Sequence, residues 1–411
     1  MSSQPEHTWG HTLPFGELYY QRAVQMLQEV RHESTALAEV ASVAAKAIRD
    51  GHKVYANLTT GHMPPYELVN EREGNPALFE FVESRFGTPE QFAAMRSGDV
   101  LLTNCVSESV HAAREAGVYV VVVTSYFFNH SGVPPGKLPP NPNSWMPEDV
   151  ASCVIDAHIP WDQGMVRIPA VPQMPVFPGS SIATCAMHWM ITGEVAHALA
   201  TGAVPTGAIS RLYVDCLLTR LAVAREQSVM PVGDAAVTIA KRIISGGRYF
   251  VRSRNFGVQS EAQGVAQGLM LTNAFEPRPV NEGGDKDVFL IAAVSDDDPQ
   301  ELAWAQEARA NGNYLIGIGS PGNATLREQC DVYLDNACGE AGGILTVSGY
   351  PDGVSPATGI LNNIIAYWLT AQFVDELCRR GAVPYFWMGF YRIGGKEYSD
   401  AIRPFFLERG F

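Results

Sequence analysis

Three stretches of this sequence recur once each, in the same order, and that repetition limits the fold more than any other property of the chain. The first is Asp99–Ser125, DVLLTNCVSESVHAAREAGVYVVVVTS, which reads as a buried strand, a polar turn, a short helix and a second apolar strand. Asp287–Ser320 repeats that order, with Ser107 and Ser295 each eight residues after the opening Asp. Val43–His62 matches Thr238–Gly257, setting Lys46 opposite Lys241 and Gly51 opposite Gly246, and Pro178–Glu194 matches Pro356–Gln372. Chance likeness between βαβ units explains one echo, whereas three in one order predict two tandem copies.

Continuous apolar strands around short helices mean parallel sheets covered on both faces. The predicted fold is therefore α/β, with one unit over 1–203 and a second over 204–411. A chain of 411 residues is long for one core and comfortable for two. In the first unit the pattern is helical from Glu17 to Asp50 with a break near Glu33 and Ser34; the second opens with a helix to about Arg225. Proline-dense Ser125–Asp149 predicts an ordered loop or flap. The aromatic tail, YFWMGFYRIGGKEYSDAIRPFFLERGF, has no counterpart in the first unit and is expected to pack over something.

Composition removes whole classes of function. The formal charge of −14, with no basic run, argues against binding nucleic-acid backbones. No apolar run approaches the length of a membrane span. Seven scattered cysteines with no CxxC pair suit reduced, mostly buried thiols and a cytoplasmic protein. The opening MSSQPEHTWGHTLPFGE has no basic region followed by an apolar one, so no secretory leader is expected.

In parallel sheets ligands sit at the carboxyl ends of strands, which points to the turns there. Small hydroxyl residues in a turn that opens a helix place O–H and N–H donors around an anion, and the helix dipole favours its charge. Ser107 and Ser295 fit this pattern, as do Ser180, Ser181 and Thr358 at the two later helix starts. Each of these also reads as an ordinary helix cap.

These residues, taken in order, resemble the sugar isomerase (SIS) phosphosugar-binding domain. That family shows a GTGHS turn, an SNSG turn and a PTST helix start. Here the positions hold Thr60-Gly61-His62, Cys105-Val106-Ser107-Glu108 and Pro178-Gly179-Ser180-Ser181, then Asn255-Phe256-Gly257, Ala293-Val294-Ser295-Asp296 and Pro356-Ala357-Thr358-Gly359. The tail Gly394-Gly395-Lys396-Glu397 is similar to the end of the small uncharacterised SIS family with the GTGHS turn. The resemblance implies two flavodoxin-like domains joined as a pseudo-dimer, as in the isomerase half of glucosamine-6-phosphate synthase. It also implies a sugar or sugar phosphate as ligand, isomerisation without a redox cofactor, and a possible homodimer of the double-domain chain.

Several positions depart from the family pattern. Cys105 and Ala293 replace a serine, and Glu108 and Asp296 put negative charge where Gly is usual. A phosphate beside such a carboxylate is penalised by about 1–4 kcal/mol at surface-like dielectric; Arg252, Arg254 or Lys396 would then hold it. The synthase's catalytic Glu has Val176-Phe177 in its place. Moving a proton between C1 and C2 needs a base and an acid near neutrality, and the remaining candidates are His62, His158, His188 and Glu194. Their counterparts in the second copy carry no charge, which places the one competent site in the first.

The expected set is therefore His62, His158 and Glu194 for catalysis, with Thr60, Gly61, Ser107, Ser180, Ser181, Arg254, Ser295 and Thr358 for binding. His62, Glu194 and His188 also supply ligand types for a divalent metal, but His188 and Glu194 are six apart and do not share a helix face. The aldose–ketose isomerase reading stands beside a non-catalytic sugar-phosphate sensor and a sugar-acid isomerase or lyase.

Overall fold

The computed structural model describes residues 13–82, 89–124, 145–272, 284–339, 342–390 and 392–411. Most of the expected flap, 125–144, and the residues before 13 lie outside these. The first half builds a five-stranded parallel sheet from β1 (Val54–Asn57), β2 (Glu80–Phe81), β3 (Val100–Thr103), β4 (Tyr119–Val123) and β5 (Cys153–Ile155), in the order β2-β1-β3-β4-β5. That is the flavodoxin-like order. A hairpin of β6 (Gly164–Val166) and β7 (Val176–Pro178) follows. The second sheet runs β8 (Tyr249–Arg252), β9 (Val288–Ala292), β10 (Tyr314–Gly319) and β11 (Val332–Asp335) side by side, all parallel, and is again followed by a hairpin, β12 (Gly343–Val347) and β13 (Tyr350–Pro356). The α/β class and the parallel sheets are as expected; the two hairpins were not.

Helices fill both faces. α1 (Phe15–His32) and α2 (Ser34–Arg49) precede the first sheet, with α3 (Pro64–Glu67), α4 (Pro89–Ala93), α5 (Glu108–Glu115) and α6 (Pro147–Val150) between its strands and α7 (Ser180–Thr201) after the first hairpin. α8 (Ala208–Ile244) leads into the second half, followed by α9 (Gly257–Ala262), α10 (Pro299–Ala310), α11 (Ala324–Gln329) and α12 (Thr358–Arg379). α13 (Gly395–Arg409) forms most of the tail. The first half breaks its leading helix at Glu33, whereas α8 continues for 37 residues through Pro231. An interior proline removes one helical hydrogen bond, but α8 packs along α7 and α12, and that burial outweighs the loss.

Backbone conformation repeats as well as element order. Left-handed φ angles occur at Gly51 and Gly246, Gly61 and Phe256, Gly117 and Gly312, His158 and Ala337, Phe177 and Ser355, and Gly202 and Gly381. Four of the non-glycine residues, His158, Ala337, Phe177 and Ser355, form two pairs with nearly equal angles of 54° and 55°, and 62° and 64°. Such conformations are costly for side chains with a Cβ, so their recurrence marks the same local architecture in both halves.

The halves exchange backbone. Phe177 N–H donates to Gln267 O at 3.0 Å, and Ser355 N–H donates to Gly74 O at 3.0 Å. Each residue just before a last helix is thus held by the segment that follows the other half's short helix. α7 and α12 are buried along nearly their whole length, and one core cluster runs through both halves. The tail locks this exchange: Trp387 N–H donates to Gly268 O, Met270 N–H donates to Tyr385 O, and Arg392 pairs with Asp162 at 2.5 Å.

Candidate functional site

The turns after β1 and β8 lead into α3 and α9, which contact one another, so both halves meet there. In the first half Asn104 organises the turn. Its Oδ1 accepts from the N–H groups of Thr59 and Thr60 at 2.8 and 3.1 Å, and its Nδ2 donates to Val123 O. Ser107 caps α5, accepting from Val110 N–H at 3.3 Å. Ser180 donates to Gln163 Oε1 at 2.8 Å, and Gln163 in turn donates to Ala266 O of the second half.

Gly61 has a structural task. With φ of +99°, it passes so close to Ser181 that a Cβ would lie 2.1 Å from Oγ. Ser181 Oγ accepts from Met63 N–H at 3.3 Å and donates to Glu261 Oε2 at 2.6 Å. The same carboxylate oxygen takes the N–H of His62 at 2.7 Å and of Met63 at 3.1 Å. The cradle expected for a ligand anion therefore holds a carboxylate from α9 of the opposite half. Thr60, buried beside it, leaves its hydroxyl without a hydrogen-bond partner.

The second half carries the mirror arrangement with different chemistry. Glu67 of α3 reaches across to Asn255, whose Nδ2 donates at 3.0 Å, and accepts from Arg72 Nε at 3.2 Å. Its carboxylate lies against the backbone at the start of α12, where a Cβ on Gly359 would meet it at 2.3–2.4 Å. Both members of the Glu67–Arg72 pair are buried, with side-chain exposures of 1% and 3%. The sequence reading missed Glu67 and Glu261. The available signal was a matched acid in each short helix after the first strand.

Hydroxyl use also differs between the halves. Ser295 caps nothing, because Asp298 caps α10 by accepting from Gln300 and Glu301 N–H. Ser295, Ser320, Asp296, Cys338 and Thr358 instead line a small cavity of about 10 Å³, near the size of one water. Ser320 donates to Asp296 Oδ1 at 2.5 Å. Arg254 reaches Ser295 Oγ at 3.5 Å and pairs with Asp298 at 2.9 Å. Beside it opens a cleft of about 250 Å³ lined by Arg72, Arg254 and Asn255 together with Glu71 and Glu73, the latter 3.7 Å from the Arg254 guanidinium. Beneath the turn, Glu301 accepts from Val294 N–H at 3.0 Å, and burial pushes its carboxyl up to about 7. Its counterpart in the first half is Ala113.

Three expected groups lie elsewhere. Glu194 sits thirteen residues along α7 from Ser181, about 20 Å at the helical rise, and accepts from Ser210 N–H at the start of α8, where it serves as a cap. His158 follows β5, three strands from β1 and about 14 Å away, and its Nε2 lies 3.0 Å from Glu33 Oε1. The structure therefore does not gather His158 and Glu194 around His62, which rests on the turn itself. His188 is packed edge-on against Phe79 and Trp189, and desolvation drives it down to about 3, so it stays neutral. Its place on α7, about 10 Å from Ser181, also separates it from His62 and Glu194 as metal ligands. Lys396 pairs with Asp400 in exposed α13, and Arg252 is buried over Phe289.

No family model matches the chain. Two curated relatives align with it: a UPF0309 protein of Streptomyces griseus subsp. griseus, 22% identical over 242 residues, 48% of this chain and 95% of the relative, and one of Streptomyces avermitilis, 21% identical over 246 residues, 49% and 97%. Among solved structures, a candidate phosphosugar isomerase from Silicibacter pomeroyi is 13% identical with a TM-score of 0.48, covering 90% of this chain and 99% of that one. The C-terminal domain of glucosamine-fructose-6-phosphate aminotransferase from Francisella tularensis is 11% identical with a TM-score of 0.48, covering 89% and 97%. Among the described residues, no helix is long and apolar enough to cross a membrane.

Proposed function

We propose that the chain is a tandem SIS-type protein, with units over 1–203 and 204–411, that binds a sugar phosphate in the cleft between its halves and interconverts its aldose and ketose forms. The observation that carries this reading is the cleft where Arg72 of the first half meets Arg254 and Asn255 of the second, beside the Ser295, Ser320 and Thr358 hydroxyls. The curated relatives, aligned over nearly their whole length, occupy about half of this chain, as expected if it holds two such units.

The residues divide the work as follows. The hydroxyls and the amino end of α12 receive the phosphate, and the half-exposed Arg254 guanidinium offsets its charge, while Arg72 stays paired with Glu67. Glu67, set against the start of α12, takes the proton from C2 of the open-chain aldose and returns it to C1 through an enediol. His62, on the turn facing the second half, is the acid that opens the ring. A base and an acid placed this way contribute about 10²- to 10⁴-fold each.

A non-catalytic sensor is the second reading, favoured by the full engagement of Glu67 with Arg72 and Asn255. The test follows deuterium uptake from D₂O at C1 and C2 of sugar phosphates that raise the melting temperature. The enzyme reading predicts uptake that falls at least about 10²-fold in Glu67→Gln and His62→Ala while ligand-induced stabilisation persists. Stabilisation without any uptake in the unaltered protein supports the sensor and overturns the isomerase.

A further inference from the structure

The first half's anion cradle is complete and filled. Its donors are the N–H groups of His62 and Met63, the Ser181 hydroxyl and the amino end of the 22-residue α7; its occupant is the fully buried Glu261 carboxylate from α9. Where Glu67 has Arg72 five residues on, the same spacing from Glu261 reaches Ala266. Glu261 Oε2 is thus neutralised by three hydrogen bonds and a helix dipole, the set of contacts a free anion would receive at such a place.

We infer that the first half is a plugged anion site whose resident ligand is the Glu261 side chain, and that a small free carboxylate takes its place when the side chain is shortened. The consequence is one anionic ligand per chain: in the second half Ser295 and Thr358 have only long contacts of 3.5 Å, to Arg254 and to Cys338 Sγ, while the first spends Ser107 on α5, Ser180 on Gln163 and Ser181 on Glu261. This inference is independent of the isomerase reading, since it concerns the occupancy of the cradle and not turnover.

The experiment compares the unaltered chain with Glu261→Ala in acetate and in chloride of equal ionic strength. Shortening the side chain leaves the N–H and O–H donors buried and unanswered, a costly state, so Glu261→Ala should melt lower and recover with acetate. At tenfold over the dissociation constant the recovery should be roughly 1–2 °C, shrinking in Glu261→Ala/Ser181→Ala and absent in the unaltered protein. A folded Glu261→Ala that ignores acetate overturns the inference. Amide hydrogen exchange of the unaltered chain tests it without any variant. The His62 and Met63 amides should be protected and unchanged by inorganic phosphate, whereas rapid exchange, or protection that appears only with phosphate, contradicts it.

Discussion

Glu67 and Glu261 occupy matching places in the two halves yet are stabilised by different means. Glu67 is buried as an ion pair with Arg72 and touches residues that line an open cleft. Glu261 is buried among neutral donors and seals the cradle it enters. One recurring backbone pattern thus carries a buried ion pair beside an open cleft in one half and a carboxylate that fills the hydroxyl cradle in the other. The difference rests on a few positions: Arg72 against Ala266, Ser181 against Gly359, and Asp298 relieving Ser295 of the capping duty that Ser107 performs.

The largest effect that sharpens this contrast is on stability. Arg72→Met strands Glu67 as an uncompensated buried charge and should cost about 3–5 kcal/mol. Ser181→Ala removes one donor of three from Glu261 and should cost about 1–3 kcal/mol. Urea denaturation midpoints of the two variants check the order, and the reverse order would break the distinction.

Proton linkage separates the halves next. Glu301, in the second, is raised from 4.5 to about 7 by burial. Between those pH values the native state binds more protons than the unfolded one, so this group makes stability fall as pH rises. His188, in the first, is lowered from 6.5 to about 3 by burial. Between these the unfolded state binds more protons, so this group makes stability rise with pH. Each slope is at most about 1.4 kcal/mol per pH unit, and they oppose one another from pH 4.5 to 6.5. Glu301→Gln should leave stability rising more steeply with pH across that window, and His188→Leu should leave it falling. Thermal melts over pH 4–8 measure both, and identical profiles in the two variants would contradict the assignment.

A smaller effect separates the paired left-handed positions. Ala337→Gly relieves a φ of 55° and should raise stability by up to about 1 kcal/mol. His158→Gly relieves the same strain but loses the contact with Glu33, so it should gain less. Equal gains would show that the Glu33 contact contributes nothing.

Much of the fold was readable because it depends on local signals. The apolar runs at Val100–Thr103 and Val118–Val123 are strands, Gly51 and Gly202 end helices, and the spacing from Asp99 to Ser107 recurs from Asp287 to Ser295. The hairpins before α7 and α12 were missed because β6 and β7 have three residues each and β12 and β13 carry Gly343, Pro351, Gly353 and Pro356, which read as turn. At the site the helix starts at Ser180 and Thr358 were legible, but the fate of their hydroxyls was not. What fills the Ser181 cradle is a residue eighty positions away in the other half, and no local pattern reports such a contact. Ser107 and Ser295 looked equivalent, although Asp298-Pro299 already carries the signature of a helix start that needs no serine. His62, Glu194 and His188 were grouped by residue type, whereas α7 spaces Glu194 and His188 too far from the turn to act together.

The most direct test is a crystal structure of the unaltered chain with a stabilising sugar phosphate bound. The account predicts one ligand per chain, its phosphate at Ser295 and Thr358 within reach of Arg254, with Glu261 still bonded to Ser181 and the His62 and Met63 amides. A phosphate seated against Ser107 and Ser181, with Glu261 displaced, would contradict it.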